Sequence, residues 1–391
     1  MTGPPVRVTV VIDHPAQHFT RALELLSAEP GVQVHVYYWS AAERVRDAGF
    51  ARSVSWDVDL LRGYAWQVPE PGRSMSGRIR WLVRQLRARR PQVLICYGWA
   101  SPIARLAFLY GTLTRIPVVL YGDTTWQHSA AQGRHRVLRA LVLRALMRAS
   151  AGAISTGAFN REFYISCGMD PRRIWPGVCP ADTEQFGMAR DGRRTPPGAG
   201  PTPLRIGFAG KLIARKGVDE LLRAAALLPA ARDWSVTVVG DGPLMPELRA
   251  LAAELGLAER VTFRGFANTT EMPALLAAFD VMVVPSRWDM RALVTIEAMA
   301  AGAAVIVSDA TAAWGPGDLV EDGVSGLVYH SGDPAALGRQ LSRLLDDPGL
   351  LAALRAAASV RVAEFGPDAF ARTMASAIRT LHERAKATTG P

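Results

Sequence analysis

The sequence predicts an α/β protein built from two doubly wound domains, each a parallel sheet with helices on both faces. Three observations predict it. Short β-branched runs alternate with longer amphipathic stretches, the alternation halts at a proline- and glycine-dense segment from Asp191 to Pro203, and it then restarts. With 391 residues, 49% of them apolar, the chain is long enough for two or three domains with substantial cores.

Taken in order, the first half offers strands at Val6 to Ile12, Val32 to Trp39, Val93 to Tyr97 and Val118 to Tyr121. Helical stretches at Thr20 to Ala28, Gly77 to Arg89 and Ile103 to Leu113 alternate with them. The second half repeats the scheme, with strands at Leu204 to Gly210, Ser235 to Val239, Val261 to Arg264, Val281 to Pro285 and Ala304 to Ser308. Its helices are Val218 to Leu228, Met245 to Leu255, Met272 to Ala278 and Leu293 to Ala301, and a last amphipathic helix runs from Pro367 to Arg384. The expected organisation is a first domain over 1–183, a linker over 184–203, a second domain over 204–362, and a terminal helix with a polar tail over 363–391. Ligands of such sheets bind beyond the carboxyl ends of the strands, so two facing sheets would place a site in the cleft between them.

Charge divides the halves. Residues 1–180 hold 23 arginines and 11 acidic residues, whereas the remainder holds 22 basic and 24 acidic residues. Either the first half meets an anionic partner, a peripheral membrane surface included, or arginine-rich composition has coloured its surface helices. Two stretches are candidate membrane-surface helices, Arg78 to Arg90 and Arg134 to Arg148. In the former, Arg80, Arg84 and Arg87 oppose a stripe of Ile79, Leu82, Val83 and Leu86, which equally suits a helix packed on a sheet. No recognition module accompanies the charge, so nucleic acid is not an expected partner. No signal sequence opens the chain and no apolar run reaches a membrane span, which points to the cytoplasm. Cys96, Cys167 and Cys179 have no paired ligand spacing, which supports neither a disulfide framework nor a zinc site. Oligomeric state has no signature.

The chemistry concentrates in Pro285-Ser-Arg-Trp-Asp289-Met-Arg-Ala-Leu-Val-Thr-Ile-Glu297, which carries two carboxylates eight residues apart across a strand, loop and helix. The amides of Ala292, Leu293 and Val294 at the helix start suit a diphosphate, and Asp289 and Glu297 can accept hydrogen bonds from sugar hydroxyls on either side. On this segment alone, a capping aspartate and a solvated glutamate serve as well. After the first strand of the second half come Gly210, Lys211, Lys216 and Gly217. Lys211 and Lys216 are two of only three lysines in the chain, placed where fixed cations would neutralise a leaving diphosphate. Gly240-Asp241-Gly242-Pro243 closes another strand, either as a ligand loop or as a plain turn.

Together, Gly210-Lys-Leu-(x)3-Lys216-Gly, Val-Val-Gly240-Asp-Gly-Pro, Phe263-x-Gly-Phe266, Asp280 through Gly302, Val305 to Asp309, and Asp318 through Gly326 resemble the carboxyl-terminal domain of family 4 glycosyltransferases over roughly 204 to 335. The resemblance implies the GT-B fold, two facing Rossmann-like domains with an interdomain cleft. It also implies transfer of a sugar, with retention, from a nucleotide diphosphate sugar, and no cofactor or metal. A UDP-sugar donor and a small-molecule acceptor of secondary metabolism, a sugar or cyclitol, are the expected substrates. A lipid-linked acceptor at a membrane surface, a nucleotide-sugar epimerase, a sugar phosphorylase and a non-catalytic sugar-binding protein are the alternatives.

Carried over by position, Lys211 (where arginine is usual) and Lys216 contact the diphosphate, Glu297 the ribose, and Asp289 the transferred sugar. Gly210, Asp241, Gly242 and Phe266 line the donor site. Asp289 is one methylene shorter than the usual glutamate, and Met290, Arg291 and Ala292 replace proline, phenylalanine and glycine. Arg291 is thus expected to add a charge to the donor site. The first domain, less similar, would bind the acceptor through His14, Gln17, His18, Trp99, Asp123 and Trp126 at its strand ends. His14 and His18 lie four apart but lack a third ligand for a metal. Asp123 either orients an acceptor hydroxyl or caps the following segment. The D-x-D pattern of Asp57 and Asp59 is discounted as a metal motif because no apolar strand of a nucleotide-binding unit precedes it. By resemblance, the terminal helix crosses back onto the first domain.

Overall fold

The computed structural model describes residues 4–40, 45–47, 52–54, 57–126, 136–191 and 203–389. Its residues form two compact units. One comprises 1–43, 59–180 and 367–391, the other 44–58 and 181–366.

In chain order, the first nine strands are β1 (Val6–Ile12), β2 (Val32–Tyr38), β3 (Val45–Asp47), β4 (Arg52–Val54), β5 (Trp66–Gln67), β6 (Val93–Tyr97), β7 (Val118–Gly122), β8 (Gly152–Ser155) and β9 (Ile174–Pro176). Strands β3 and β4 pair antiparallel as a separate hairpin. The other seven form the sheet of the first unit, in the order β5-β2-β1-β6-β7-β8-β9, with every pairing parallel. Its helices are α1 (Gln17–Ala28), α2 (Met75–Arg89), α3 (Pro102–Thr114), α4 (Arg136–Ala149) and α5 (Ala158–Ser166). Starts are chemically marked: Ser74 caps α2 by accepting from the Gly77 amide, and Ser101 caps α3 by accepting from that of Ala104, with Pro102 in the first turn. α2 buries Trp81, Leu82 and Leu86 and leaves Arg80, Arg84 and Arg87 outside, as a sheet-packed helix does.

The second unit contains α6 (Thr183–Asp191), α7 (Val218–Ala225), α8 (Met245–Glu254), α9 (Met272–Ala277), α10 (Leu293–Ala300), α11 (Pro334–Asp346) and α12 (Pro348–Val362). Its strands are β10 (Leu204–Ala209), β11 (Trp234–Val239), β12 (Val261–Gly265), β13 (Val281–Val284), β14 (Ala304–Ser308) and β15 (Leu327–Tyr329). They form one parallel sheet in the order β12-β11-β10-β13-β14-β15. The order reverses beside β10, between the neighbours β11 and β13, and such a switch point opens the crevice where doubly wound sheets take ligands. The buried faces of Ile206, Phe208, Val236, Val238, Val281, Val283, Ala304 and Ile306 make its core with Leu221, Leu222, Leu337 and Leu341 from the helices. Helix α13 (Pro367–Thr389) belongs to the first unit, where it packs on α1.

The division differs from the sequence reading in that the first unit ends at 180 and lacks 44–58, and the second runs from 181 to 366. Residues 184–191, assigned there to the linker, belong to helix α6, because the Asp182 carboxylate accepts from the Gln185 amide at 3.2 Å and Phe186 is buried. The rest of that linker, 192–202, lies outside the described residues. Trp56, beside the D-x-D pattern, lies there too; Asp57 accepts from the Thr270 amide at 3.3 Å and Asp59 from that of Leu61 at 3.0 Å.

Candidate functional site

Three loops of the second unit pack together at the carboxyl ends of β10, β11 and β13, and glycines let them. A Cβ on Gly240 would lie 1.8 Å from the carbonyl oxygen of Gly210, and one on Gly217 would lie 1.9 Å from that of Pro285. Any side chain at either place would push the loops apart. The Leu212 amide donates to the Asp241 carbonyl at 2.9 Å, and the Arg287 amide to the Arg215 carbonyl at 2.8 Å. Lys216 is therefore a neighbour of the segment that carries Asp289, and Asp241 and Gly242 are neighbours of the loop that runs from Gly210 and Lys211 to Lys216. The Asp241 carboxylate turns back to accept from the Gly242 amide at 2.8 Å. Phe266 follows the end of β12.

Asp289 is the meeting point. Its carboxylate accepts a charged hydrogen bond from Lys216 Nζ. Arg215 Nη1 stands 3.6 Å away, Ser286 Oγ donates at 3.4 Å and the Ala292 amide at 3.2 Å. Burial alone would raise the Asp289 pKa, but the Lys216 charge and hydrogen bond, then Arg215 and the Ala292 amide, hold it below the ordinary carboxylate range. Arg215, absent from the sequence-derived set, lies over the Trp288 ring at 4.8 Å and completes the cationic wall. Its signal was its place between Lys211 and Lys216; its neighbour Trp288 in the folded chain had no counterpart in the spacing.

Helix α10 begins at Ala292, whose φ of 46° is left-handed, where glycine is the residue without steric cost. Leu293 and Val294 form its first turn, so their amides face the same end as the Asp289 carboxylate. Glu297, one turn further, is part-exposed by area. Enough protein surrounds its carboxyl that burial pushes its pKa up to about 7.

Arg291 departs from expectation. It is 3% exposed, and Nη1 donates to Asp318 Oδ1 at 2.8 Å and to the Ala312 carbonyl at 3.3 Å, with the guanidinium 5.5 Å from the Phe365 ring centroid. A buried guanidinium needs a buried carboxylate, and Asp318 supplies it. The expected additional charge on the donor is thus turned inward and neutralised.

In the first unit, His14, Gln17 and His18 follow β1, with His18 packed 4.3 Å from the Phe19 ring and its pKa pushed down to about 4 by burial and then by His14. At neutral pH it is an uncharged imidazole. Trp99, after β6, stacks on Phe163 at 5.7 Å, and Trp126, after β7, meets the same ring edge-on at 5.0 Å while its Nε1 donates to Ser166 Oγ at 2.7 Å. These tryptophans share one aromatic support. Asp123 lies just beyond β7, and its charge, after burial, helps raise the Tyr97 pKa well above the ordinary tyrosine value. Among the described residues, no three His, Cys, Asp or Glu side chains gather as a metal ion would require.

Comparison with known proteins follows the same division. A profile described as "Glycosyltransferase Family 4" matches residues 16–185, and one described as "Glycosyl transferases group 1" matches 203–347. A 2-deoxystreptamine glucosyltransferase of Streptomyces kanamyceticus is 37% identical over 55% of this chain, and the match spans 53% of its own length, about half. A D-inositol 3-phosphate glycosyltransferase of Salinispora arenicola is 36% identical over 85% of this chain and 70% of its own. The crystal structure of Anabaena HepE in complex with UDP superposes with a TM-score of 0.72 at 16% identity, covering 96% of this chain and 100% of that one, a likeness of fold. With two parallel-sheet, Rossmann-like units of GT-B type and relatives matched across both, the chain belongs to the family 4 glycosyltransferases.

Proposed function

We propose that this chain transfers a sugar, with retention of anomeric configuration, from a UDP-sugar to a hydroxyl of a small cyclitol or sugar acceptor. The observation that carries the reading is the gathering of Lys216, Arg215, Asp289 and the start of α10 at the switch point of the second sheet, with Glu297 one turn away. Cations and helix amides suit a diphosphate, and carboxylates suit the hydroxyls of ribose and transferred sugar.

In this account Lys211, Lys216 and the amides of Leu293 and Val294 receive the charge that grows on the diphosphate as its bond to the anomeric carbon breaks. Fixed charges stabilise that state more than the ground state. The acceptor oxygen forms the new bond on the same face, and its proton passes to the departing phosphate oxygen. Asp289 orients the sugar, Glu297 holds the ribose, and Asp241, Gly242 and Phe266 complete the donor site. His14, Gln17, His18, Trp99, Asp123 and Trp126 form the acceptor surface, with aromatic faces for the ring and polar groups for its hydroxyls.

Uridine is supported by the UDP in the HepE structure, and a cyclitol acceptor by the 2-deoxystreptamine and D-inositol 3-phosphate in the relatives' names. A donor screen across uridine, guanosine, adenosine and deoxythymidine diphosphate sugars, each with cyclitol acceptors, tests this reading. Acceptor-dependent release of UDP is the expected result. Epimerised donor without acceptor, or consumption of product with inorganic phosphate, would replace it with an epimerase or a phosphorylase.

A second reading has its own observation. Helix α4 exposes Leu138, Leu141 and Val142 among the exposed Arg144 and Arg148, a composition that suits contact with an anionic membrane and a lipid-linked acceptor. Sedimentation with anionic liposomes decides it: salt-sensitive binding favours the lipid acceptor, and none favours the soluble one. Among the described residues, no helix is long and apolar enough to cross a membrane.

A further inference from the structure

The turn that delivers Asp289 is gripped from behind by a residue that its own end of the site does not use. The Asp289 amide donates to the Ala310 carbonyl at 3.2 Å, and the Asp289 carbonyl accepts from the Ala312 amide at 2.9 Å. Arg291 Nη1 holds the same segment through the Ala312 carbonyl and is anchored to the fully buried Asp318 carboxylate, which also accepts from the Leu319 amide at 2.7 Å. Arg361 closes the far side, donating from Nε to the Asp318 carbonyl at 2.9 Å while its guanidinium lies 5.2 Å from the Phe365 ring that Arg291 also contacts. Between Arg291 and helix α10 stands Ala292, a left-handed residue without glycine's freedom, so something outside the turn must hold it there.

We infer that Arg291, through its buried pair with Asp318, is a positioning residue that fixes the 289–292 turn and so sets the reach of the Asp289 carboxylate toward the transferred sugar. The inference rests on the reading of this site as a sugar-donor site. It separates two functions within one short segment: the amides of α10 and Glu297 bind nucleotide whether or not the turn is well held, whereas orientation of the sugar depends on it. Small errors in such placement reduce turnover without changing gross affinity.

Arg291→Met alone would leave Asp318 buried and unpaired, a change that can unfold the unit by itself. The test therefore uses the paired variant Arg291→Met/Asp318→Asn, which removes both charges and keeps the volumes close. In the purified full chain, its dissociation constant for UDP is expected to stay within about threefold of wild type. Its kcat for sugar transfer is expected to fall by about 100-fold, the scale of a misplacement near one ångström, with weaker discrimination between UDP-glucose and UDP-galactose. Unchanged kcat, or kcat and UDP affinity falling together, would overturn the inference.

If wild type neither binds UDP nor releases nucleotide from any sugar donor, the functional reading fails on its own. The positioning role is then judged by the coupling between Lys216 and Asp289 in urea unfolding, from a double-mutant cycle run in both backgrounds. That coupling is expected to shrink in the paired variant, and coupling of equal size would overturn the role.

Discussion

The two units share an architecture and differ in how their chemistry is written. In the second, two cations of one loop, Arg215 and Lys216, meet the carboxylate of another, Asp289, and glycine at 217 allows the close backbone approach to Pro285 that brings the two loops together. In the first, the candidate residues lie at strand ends without meeting at one group: Trp99 and Trp126 share the Phe163 ring, whereas His18 leans on Phe19 and Asp123 acts on Tyr97. A diphosphate presents the same charges whatever sugar it carries, and in the proposed reading this is why its site is built of fixed cations, amides and close-packed loops. An acceptor surface has no such common group to answer to. The residues proposed for it in the first unit are supported by packing.

The largest break between the units is expected from Lys216→Ala. Removing the cation proposed to face the diphosphate should lower kcat by about 10²- to 10³-fold, the scale of losing one preorganised charge-stabilising group, with an unchanged fold by circular dichroism. Stopped-product assays of UDP release measure it. In the first unit, Asp123→Ala should raise the acceptor KM by about tenfold, as loss of a hydrogen bond to a charged group does, and leave UDP affinity alone. A parallel loss of UDP affinity would erase the distinction between the units.

The pH dependence of Glu297 sharpens the comparison further. With its pKa pushed up to about 7 by burial, the carboxyl is mostly protonated at pH 6 and mostly ionised at pH 8. In the proposed site ribose hydroxyls donate to the ionised form, so UDP binding should tighten severalfold from pH 6 to pH 8 beyond what ionisation of the UDP phosphate itself causes, and that excess should be lost in Glu297→Gln. Stability runs the other way. A carboxyl whose folded pKa is raised contributes fully below its unfolded value and loses that contribution as pH rises through about 7. Calorimetric titration and urea unfolding over the same pH range should therefore give slopes of opposite sign.

The smallest effect is expected at Ala292. Its left-handed φ carries a strain of about 1–2 kcal/mol, against which glycine loses about 0.5–1 kcal/mol in backbone entropy. Ala292→Gly should thus stabilise the unit slightly, by up to about 1.5 kcal/mol in urea unfolding. A clear loss of stability would mean that the methyl group packs better than the turn strains.

Strands β1, β2, β6 and β7 of the first sheet and β10 to β14 of the second were legible because β-branched runs and amphipathic stretches alternate with the periods of strand and helix, and because glycine and proline mark where loops must pass close to one another. Strands β5, β8, β9 and β15, each of four residues or fewer, are too short to show a period and were not read. That Asp289 and Glu297 flank one helix start was legible through their spacing. Arg291 was not. A charge two residues from a candidate ligand reads as part of the site until its partner is known, and Asp318 is 27 residues away along the chain. Arg215 escaped for the converse reason, since its place between Lys211 and Lys216 does not set it apart from the other arginines until Trp288 and Asp289 are seen beside it. Helix α6 escaped because the proline-rich stretch after it dominated the composition, while Phe186, the residue that anchors it, is a single apolar position.

The most direct test of the account is transfer itself. Wild type and Lys216→Ala would be incubated with UDP-α-glucose in the presence and absence of a cyclitol acceptor, with UDP release and the anomeric configuration of the product followed by NMR. The account predicts acceptor-stimulated release of UDP and an α-linked product from wild type, with both lost in the variant. A β-linked product, or equal turnover by Lys216→Ala, would contradict it.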